Sequence, residues 1–295
     1  MNQKIADRNK YIPWIFIPTV LAIVIQTAVA IVALEFYIVK GLGQVDGGTY
    51  TDFYAKVVRE YSQGEGASVV LLAYAIVTAF IALVIFHSKF REGHFSSLKG
   101  KSKNLPLTVG GVLLFIVGMQ YVTLYLLNSL ASAFPSWLEE YQEMMDSVGV
   151  DTEMTVIMVL YAIFIGPICE ELLFRGITFF AAKKVMPVYF AILVQAIMFA
   201  AFHMNKLQGA YALVIGLGLG YVMYLYDNLL IPIFVHVAYN FIGTLGSEFI
   251  PIPGGNSLIT FFLATLASLI AVYASIIFMR KGSAIVNNDR FFADI

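Results

Sequence analysis

Two adjacent carboxylates and one guanidinium lie inside a long apolar stretch of the sequence. Glu170, Glu171 and Arg175 fall within residues 155–182, where most of the other side chains are hydrophobic. A charged side chain near the centre of a bilayer costs roughly 2.5–3.5 kcal/mol on insertion scales. Charges that are kept at such a cost usually have a function, so this segment is the first candidate for a site with chemistry.

Helical spacing separates the two glutamates. Glu171 and Arg175 are four residues apart, so they share a helix face and can pair, with the acid on the N-terminal side. Glu170 is rotated about 100° from Glu171, and the residue four positions after it is Phe174. We therefore predict that Glu171 and Arg175 support the site, whereas Glu170 faces a neighbouring helix or water.

Three further polar residues lie in later apolar stretches. His203 ends the run Phe199-Ala-Ala-Phe-His203, and His236 and Asn240 are four residues apart on one helix face. A free glutamate, two histidines and an asparagine in a partly dry cavity are suited to activating water for attack on an amide. In such a set Glu170 is the general base, and His203 shares the proton or orients the water. His236 and Asn240 can donate hydrogen bonds to the developing oxyanion.

The depths of these residues fit one cluster within the membrane if the helices tilt. Counted at about 1.5 Å per residue from the cytoplasmic ends of their spans, the depths are about 12 Å for His236, about 18 Å for Glu170 and Asn240, and about 24 Å for His203. By this count His203 is the residue nearest the outer face.

Other interpretations of the same residues stay open. Glu170, His203 and His236 could be three zinc ligands with an open fourth position, although the sequence has no HExxH motif. The polar residues could instead tie helices together, at about 0.6 kcal/mol each. Cys169 has no base three or four positions away, so we expect a small buried residue at that position and not a nucleophile.

An all-α polytopic membrane protein is needed to position these residues. The chain has 295 residues, of which 60% are hydrophobic and 13% charged, about half the charged share of a soluble domain. Eight apolar stretches are predicted to cross the bilayer as helices, namely residues 13–39, 67–86, 105–130, 155–182, 187–203, 209–226, 229–245 and 257–279.

The active site is expected in a cavity within this bundle, where Gly166-Pro167 should interrupt the fourth span. The stretch Gly216-Leu-Gly218-Leu-Gly220 in the sixth span is expected to permit close helix packing.

Composition excludes several other classes of protein. The formal net charge is −1, and no basic face with interleaved aromatic residues is present, so the sequence does not indicate a nucleic-acid partner. A single cysteine rules out an intrachain disulfide. The run 13–39 is longer than the core of a signal peptide and lacks a small-x-small cleavage site, so we expect a retained first helix.

The distribution of lysine and arginine predicts the orientation. With the N-terminus inside, thirteen such residues fall in inner segments and four in outer segments. The inner set is Lys4, Arg8, Lys10, Lys89, Arg91, Lys99, Lys101, Lys103, Lys183, Lys184, Arg280, Lys281 and Arg290, and the outer set is Lys40, Lys56, Arg59 and Lys206. Both termini of this multi-pass protein are therefore expected on the cytoplasmic side of the cell membrane. The outer stretches 40–66 and 131–153 are expected to be connecting loops.

At the polar residues the sequence resembles the CPBP family of CAAX-processing and bacteriocin-processing membrane proteases, also called the Abi or type II CAAX prenyl endopeptidase family. Three motifs in chain order carry the resemblance, each in an apolar span: Glu170-Glu171-x-x-x-Arg175, Phe199-x-x-x-His203 and His236-x-x-x-Asn240. It covers residues 155–246, and we take this segment as the catalytic core. Residues 1–154 form a three-span N-terminal region, and 247–295 form the last span and a cytoplasmic tail of the same membrane domain.

The resemblance implies a helical intramembrane endopeptidase that acts on a peptide or membrane-protein substrate among membrane lipids. Within the family's motifs, Glu170 and His203 are the residues that activate water. His236 and Asn240 would form the oxyanion site, with the other two charged residues of the first motif in support. No cofactor is implied, and zinc stays the alternative described above.

Two functions without hydrolysis compete with this one. The family also contains members proposed as bacteriocin-immunity or regulatory proteins, so the chain could bind a partner without cleaving it. Intramembrane glutamate and histidine residues also build proton relays in carriers. The carrier is the weaker alternative, because the sequence has no inverted repeat or matched pair of broken helices.

Overall fold

The computed structural model describes residues 8–42, 49–62, 65–90, 101–147, 154–246 and 257–285. Ten helices make up nearly all of this described part, which contains no β-strand and only an isolated bridge between Ser102 and Ser283. In chain order the helices are α1 (Pro13–Leu42), α2 (Tyr50–Ser62), α3 (Glu65–Lys89), α4 (Leu105–Ala133), α5 (Pro135–Ser147), α6 (Val156–Val185), α7 (Val188–Phe202), α8 (Lys206–Tyr226), α9 (Leu230–Leu245) and α10 (Leu258–Gly282).

Each of the eight predicted spans coincides with a helix. Helices α1, α3, α4, α6, α8 and α10 are the six that are long and apolar enough to cross a bilayer, and α7 and α9 are shorter apolar helices. The predicted fold class, an all-α polytopic membrane protein, is confirmed.

The two outer stretches expected to be loops contain helices, so that expectation was wrong. Helix α2 lies within 40–66 and packs against α1 and α3, and α5 lies within 131–153 and packs against α4 and α8. Both helices are short, and each carries charged residues on one side and aromatic residues on the other. Their glycine-rich or acidic surroundings hid this periodicity in the sequence.

Helix α6 is continuous, but it contains two π-helical segments. Tyr161–Ile165 and Leu172–Thr178 are π-helical, and the α-helical turns Gly166–Glu171 lie between them. The interruption expected at Gly166-Pro167 takes the form of the first π segment. Such segments are rare and occur frequently at functional sites.

The second half of α6 forms the centre of the bundle. Residues 171–182 are all buried, and this half packs against α1, α3 and α7. Large apolar side chains such as Phe16, Val32 and Phe80 point outward and are more than half exposed. An apolar outer surface of this extent fits contact with lipid.

Contacts between helix ends define two opposite faces of the bundle. On one face Arg8 Nη2 donates to Val185 O at 2.8 Å, and Lys101 Nζ lies 3.3 Å from Asp227 Oδ2. We call this the basic face, because it holds most of the described cations, namely Arg8, Lys10, Lys89, Lys101, Lys103, Lys183, Lys184, Arg280 and Lys281. On the opposite face lie two ion pairs, Lys40–Glu60 and Lys206–Glu140, each at 2.9 Å.

Candidate active site

The two glutamates that open the first motif are separated as the spacing predicts. Glu171 Oε1 accepts a hydrogen bond from Arg175 Nη1 at 2.8 Å, and both side chains are fully buried. Arg175 Nη2 also donates to Gly216 O at 3.2 Å, and the guanidinium lies over the Phe199 ring at 4.6 Å. The charge pair is thus enclosed between α6, α7 and α8, where it holds these helices together.

His236 connects the two glutamates. Its Nδ1 lies 2.8 Å from Glu171 Oε1, and its Nε2 lies 3.7 Å from Glu170 Oε2. An ionised carboxylate can only accept hydrogen bonds, so the Nδ1 atom carries the proton in this contact. Glu171 therefore fixes the orientation of the His236 ring and turns Nε2 towards Glu170.

Glu170 faces a cavity of about 170 Å³ in the bundle. The cavity is lined by Tyr161, Ala162, Gly166, Pro167, Glu170, Phe199, His203, Gln208, Tyr211, Ala212, Ile215, His236, Tyr239 and Asn240. All four residues predicted to be catalytic are in this set, whereas Glu171, Arg175 and Cys169 are not. The structure thus brings the predicted catalytic side chains of three helices to one cavity. The Glu171–Arg175 pair lies outside the cavity lining.

His203 follows the last residue of α7 and is held by its own helix. Its Nδ1 lies 2.9 Å from Phe199 O, and the two rings meet edge to face with centroids 4.8 Å apart. Because a carbonyl oxygen only accepts, Nδ1 donates, and in the neutral ring Nε2 is then a hydrogen-bond acceptor. Met204 then takes a left-handed backbone conformation with φ of 53°, which turns the chain towards α8.

Asn240 supplies a hydrogen bond that the backbone of α6 lacks. Gly166 N–H donates to Tyr161 O, five residues back. In the same register the carbonyl of Ala162 would need a donor from Pro167, which has no N–H. Asn240 Nδ2 donates to Ala162 O at 2.8 Å instead. One amide hydrogen of Asn240 thereby joins α9 to the π segment beside Glu170.

The three glycines of α8 permit the close packing that the sequence predicts. A Cβ on Gly216 would lie 3.2 Å from the backbone of Ala196, and one on Gly220 would overlap the Gln195 side chain. Gln195 Nε2 donates to Gly216 O at 2.8 Å. The carbonyl oxygen of Gly216 therefore accepts hydrogen bonds from both Gln195 and Arg175, which hold α7 and α6 against α8.

Sequence reasoning missed several residues of this site. Gln195 is fully buried, and its only sequence signal was its position as a lone amide in an apolar span. Tyr161, Tyr211 and Tyr239 line the cavity, and Tyr239 is tied to Thr123 by a 2.6 Å contact between their hydroxyls. Tyrosines are common at membrane interfaces, so nothing in the sequence distinguished these three.

Zinc is the alternative interpretation of Glu170, His203 and His236. Among the residues that the structure describes, no group of three or more His, Cys, Asp or Glu side chains is arranged to hold a metal ion. Cys169 is buried, as the sequence predicts for a packing residue.

The fold and the site together define a class: a polytopic helical membrane protein with a carboxylate, two histidines and an amide around one intramembrane cavity. Residues 152–242 match the family model described as Type II CAAX prenyl endopeptidase Rce1-like. This match runs from just before α6 into α9 and confirms the resemblance found in the three motifs. It supports a function of the CAAX-type membrane protease kind. No curated protein matches the chain, and no solved structure does either.

Proposed function

We propose that the protein is an intramembrane endopeptidase that hydrolyses a peptide bond with water activated by Glu170 and His203. The observation that carries this proposal is the shared cavity, which Glu170, His203, His236 and Asn240 all line. The fully buried Glu171–Arg175 pair lies outside the cavity. If all these polar residues only held helices together, there would be no reason for one group of them to be enclosed and another group to face a cavity.

Hydrolysis would begin with Glu170 accepting a proton from water as the water oxygen attacks the carbonyl carbon of the substrate. The unprotonated Nε2 of His203 can accept a hydrogen bond from the same water and orient it. Collapse of the tetrahedral intermediate then breaks the C–N bond, and Glu170 returns the proton to the leaving nitrogen. The substrate's carbonyl oxygen becomes a carboxylate oxygen, and no other reactant is consumed.

The oxyanion that forms in the first step needs hydrogen-bond donors. The Asn240 amide has two hydrogens, of which one is given to Ala162 O, so one remains. His236 can donate from Nε2 only in the form that carries a proton on both ring nitrogens, because its Nδ1 already donates to Glu171. The substrate is a peptide or a segment of a membrane protein, since the cavity lies within the bundle.

The test compares wild-type protein with Glu170→Gln, which keeps the size of the side chain and removes the base. New N-termini would be identified by mass spectrometry in membranes of cells that express each form, and the candidate peptides would then be cleaved with purified protein in detergent. We expect Glu170→Gln to lose cleavage by a factor of about 10² or more. The matched control is Glu35→Gln, the same substitution in α1 at an exposed position away from the cavity, which should cleave as wild type does.

Two results would overturn the proposal. One is full cleavage by purified Glu170→Gln. The other is a set of new N-termini that is identical in wild type and Glu170→Gln while both proteins are folded and abundant. The second result would favour a membrane protein that binds a partner without cutting it.

A further inference from the structure

The cavity occupies only one half of the bundle. Its lining comes from the first half of α6, with Tyr161 and Ala162, and from the C-terminal end of α7, with His203. It also comes from the first half of α8, as far as Ile215, and from α9 from His236 onwards, near the middle of that helix. These helix parts extend from the middle of the bundle towards the face opposite the basic face, because α6 and α8 begin there and α7 and α9 end there.

The other half of the bundle is closed beneath Glu170. Glu170 lies about 21 Å along α6 at 1.5 Å per residue, near the middle of the helix. Every residue of α6 from 171 to 182 is buried, whereas the first half of the helix is buried only in part. Arg175 fills the space directly below the site and is fully buried. In the described part of the bundle, these packed side chains separate Glu170 from the basic face.

The distribution of charge assigns these two faces to the two sides of the membrane. Most described lysines and arginines lie on the basic face, where they cap helix ends through contacts such as Arg8 with Val185 and Lys101 with Asp227. Such an excess marks the cytoplasmic side. The face towards which the cavity lies instead carries the acidic helix α5, joined to α8 by the ion pair Lys206–Glu140.

We propose that the active site receives its substrate from the non-cytoplasmic side of the membrane, and that the scissile bond lies in a peptide or membrane-protein segment on that side. The inference rests on the proposed hydrolytic function and adds the side of access. It also places the reaction in a sequence: a cytoplasmic polypeptide must first be translocated, or inserted with the scissile segment outside, before this protein can cut it. The cleaved product is then released on the outer side.

The test measures access to the cavity in intact cells, with full-length protein in a Cys169→Ala background that removes the only native thiol. Single cysteines are placed at two cavity positions, Gln208→Cys and Ala212→Cys. A membrane-impermeant methanethiosulfonate reagent is applied before and after permeabilisation. Matched controls are Ser136→Cys at the start of α5 and Lys103→Cys on the basic face.

We expect both cavity cysteines to be labelled in intact cells, as Ser136→Cys is, while Lys103→Cys is labelled only after permeabilisation. The proposal is overturned if neither cavity cysteine is labelled in intact cells, or if Lys103→Cys is labelled there and Ser136→Cys is not. Because Gln208 and Ala212 lie on one helix at different depths, the loss of one variant through misfolding leaves the other to decide.

This outcome is independent of the proposed chemistry. Labelling is repeated with Glu170→Gln added to each cysteine variant, and the pattern should not change. Cleavage in detergent, where the two sides are equivalent, tests hydrolysis alone. Active enzyme with the cavity open to the cytoplasm would refute the side of access only, and an inactive protein with an outward-facing cavity would refute hydrolysis only.

Discussion

Removal of Glu171 should destabilise the protein far more than removal of its neighbour Glu170. Glu171 Oε1 accepts hydrogen bonds from Arg175 Nη1 and His236 Nδ1, both at 2.8 Å. The Glu171 and Arg175 side chains have no exposed area. Breaking a buried ion pair by removing one partner typically costs about 3–5 kcal/mol. We expect Glu171→Ala to lower the free energy of unfolding by that amount.

The matched substitution Glu170→Ala changes the adjacent residue in the same way. The Glu170 side chain is 16% exposed, and its Oε2 atom lies 3.7 Å from His236 Nε2. The buried Arg175 keeps its partner Glu171 when Glu170 is removed. We therefore expect a loss of no more than about 1 kcal/mol in the free energy of unfolding, together with loss of cleavage.

Replacement of both members of the pair separates stability from activity. Glu171→Met combined with Arg175→Met leaves no unpaired charge, and apolar replacements of buried pairs are often neutral or stabilising. This double variant should be more stable than Glu171→Ala by about 2 kcal/mol or more. It should still be inactive, because His236 has lost the carboxylate that orients its ring.

The measurement is reversible unfolding in mixed micelles, followed by circular dichroism for all variants in parallel. The reasoning would be refuted if Glu171→Ala and Glu170→Ala lost equal stability. It would also be refuted if the double methionine variant were less stable than Glu171→Ala, since the stranded guanidinium would then not be the source of the loss.

Three further outcomes are expected. Asn240→Ala leaves the carbonyl of Ala162 without a donor and should cost about 1–3 kcal/mol in the free energy of unfolding. Pro167→Ala restores a backbone N–H that can donate to this carbonyl, so the double variant should regain part of the lost stability. If it regains none, Asn240 does not replace the missing N–H of Pro167. Gly220→Ala places a Cβ against Gln195 and should cost about 1–3 kcal/mol, whereas Gly110→Ala, which meets no atom within 4 Å, should have little effect on the same unfolding curve. Incubation with a zinc chelator should leave cleavage by purified protein unchanged, and recovery of lost activity by added zinc would instead favour a metal site.

Much of the fold was predictable because the signal is local. Runs of apolar residues predict all eight helices of the bundle, six of which are long enough to cross a bilayer. The four-residue spacing of Glu171 and Arg175 predicts their ion pair. The convergence of Glu170, His203 and Asn240 on one cavity was expected from their chemistry and motifs. The sequence alone does not show this convergence, because the three residues belong to three different helices.

What could not be predicted depends on winding and on contacts between helices. The π segment Tyr161–Ile165 shifts the hydrogen-bond register, and only in that register does Pro167 leave Ala162 without a donor for Asn240 to replace. The hydrogen bond of His236 to Glu171 likewise joins residues of two helices. The depth count placed His203 about 6 Å beyond Glu170 by assuming 1.5 Å per residue in straight spans, yet both line one cavity, because α7 is short and ends at that level.

The first π segment also sets the rotational phase of α6. A π turn holds one more residue than an α turn, so regular α-helical winding of the same five residues, Tyr161–Ile165, would rotate the two halves of the helix by roughly 100° relative to each other. Thr155, which bonds to Ser68 at 2.9 Å, anchors the first half to α3, and Arg175 anchors the second to α8. The wider winding of the π segment therefore keeps two independently fixed half-helices aligned, and it lets Glu170 face the cavity while both anchors stay engaged.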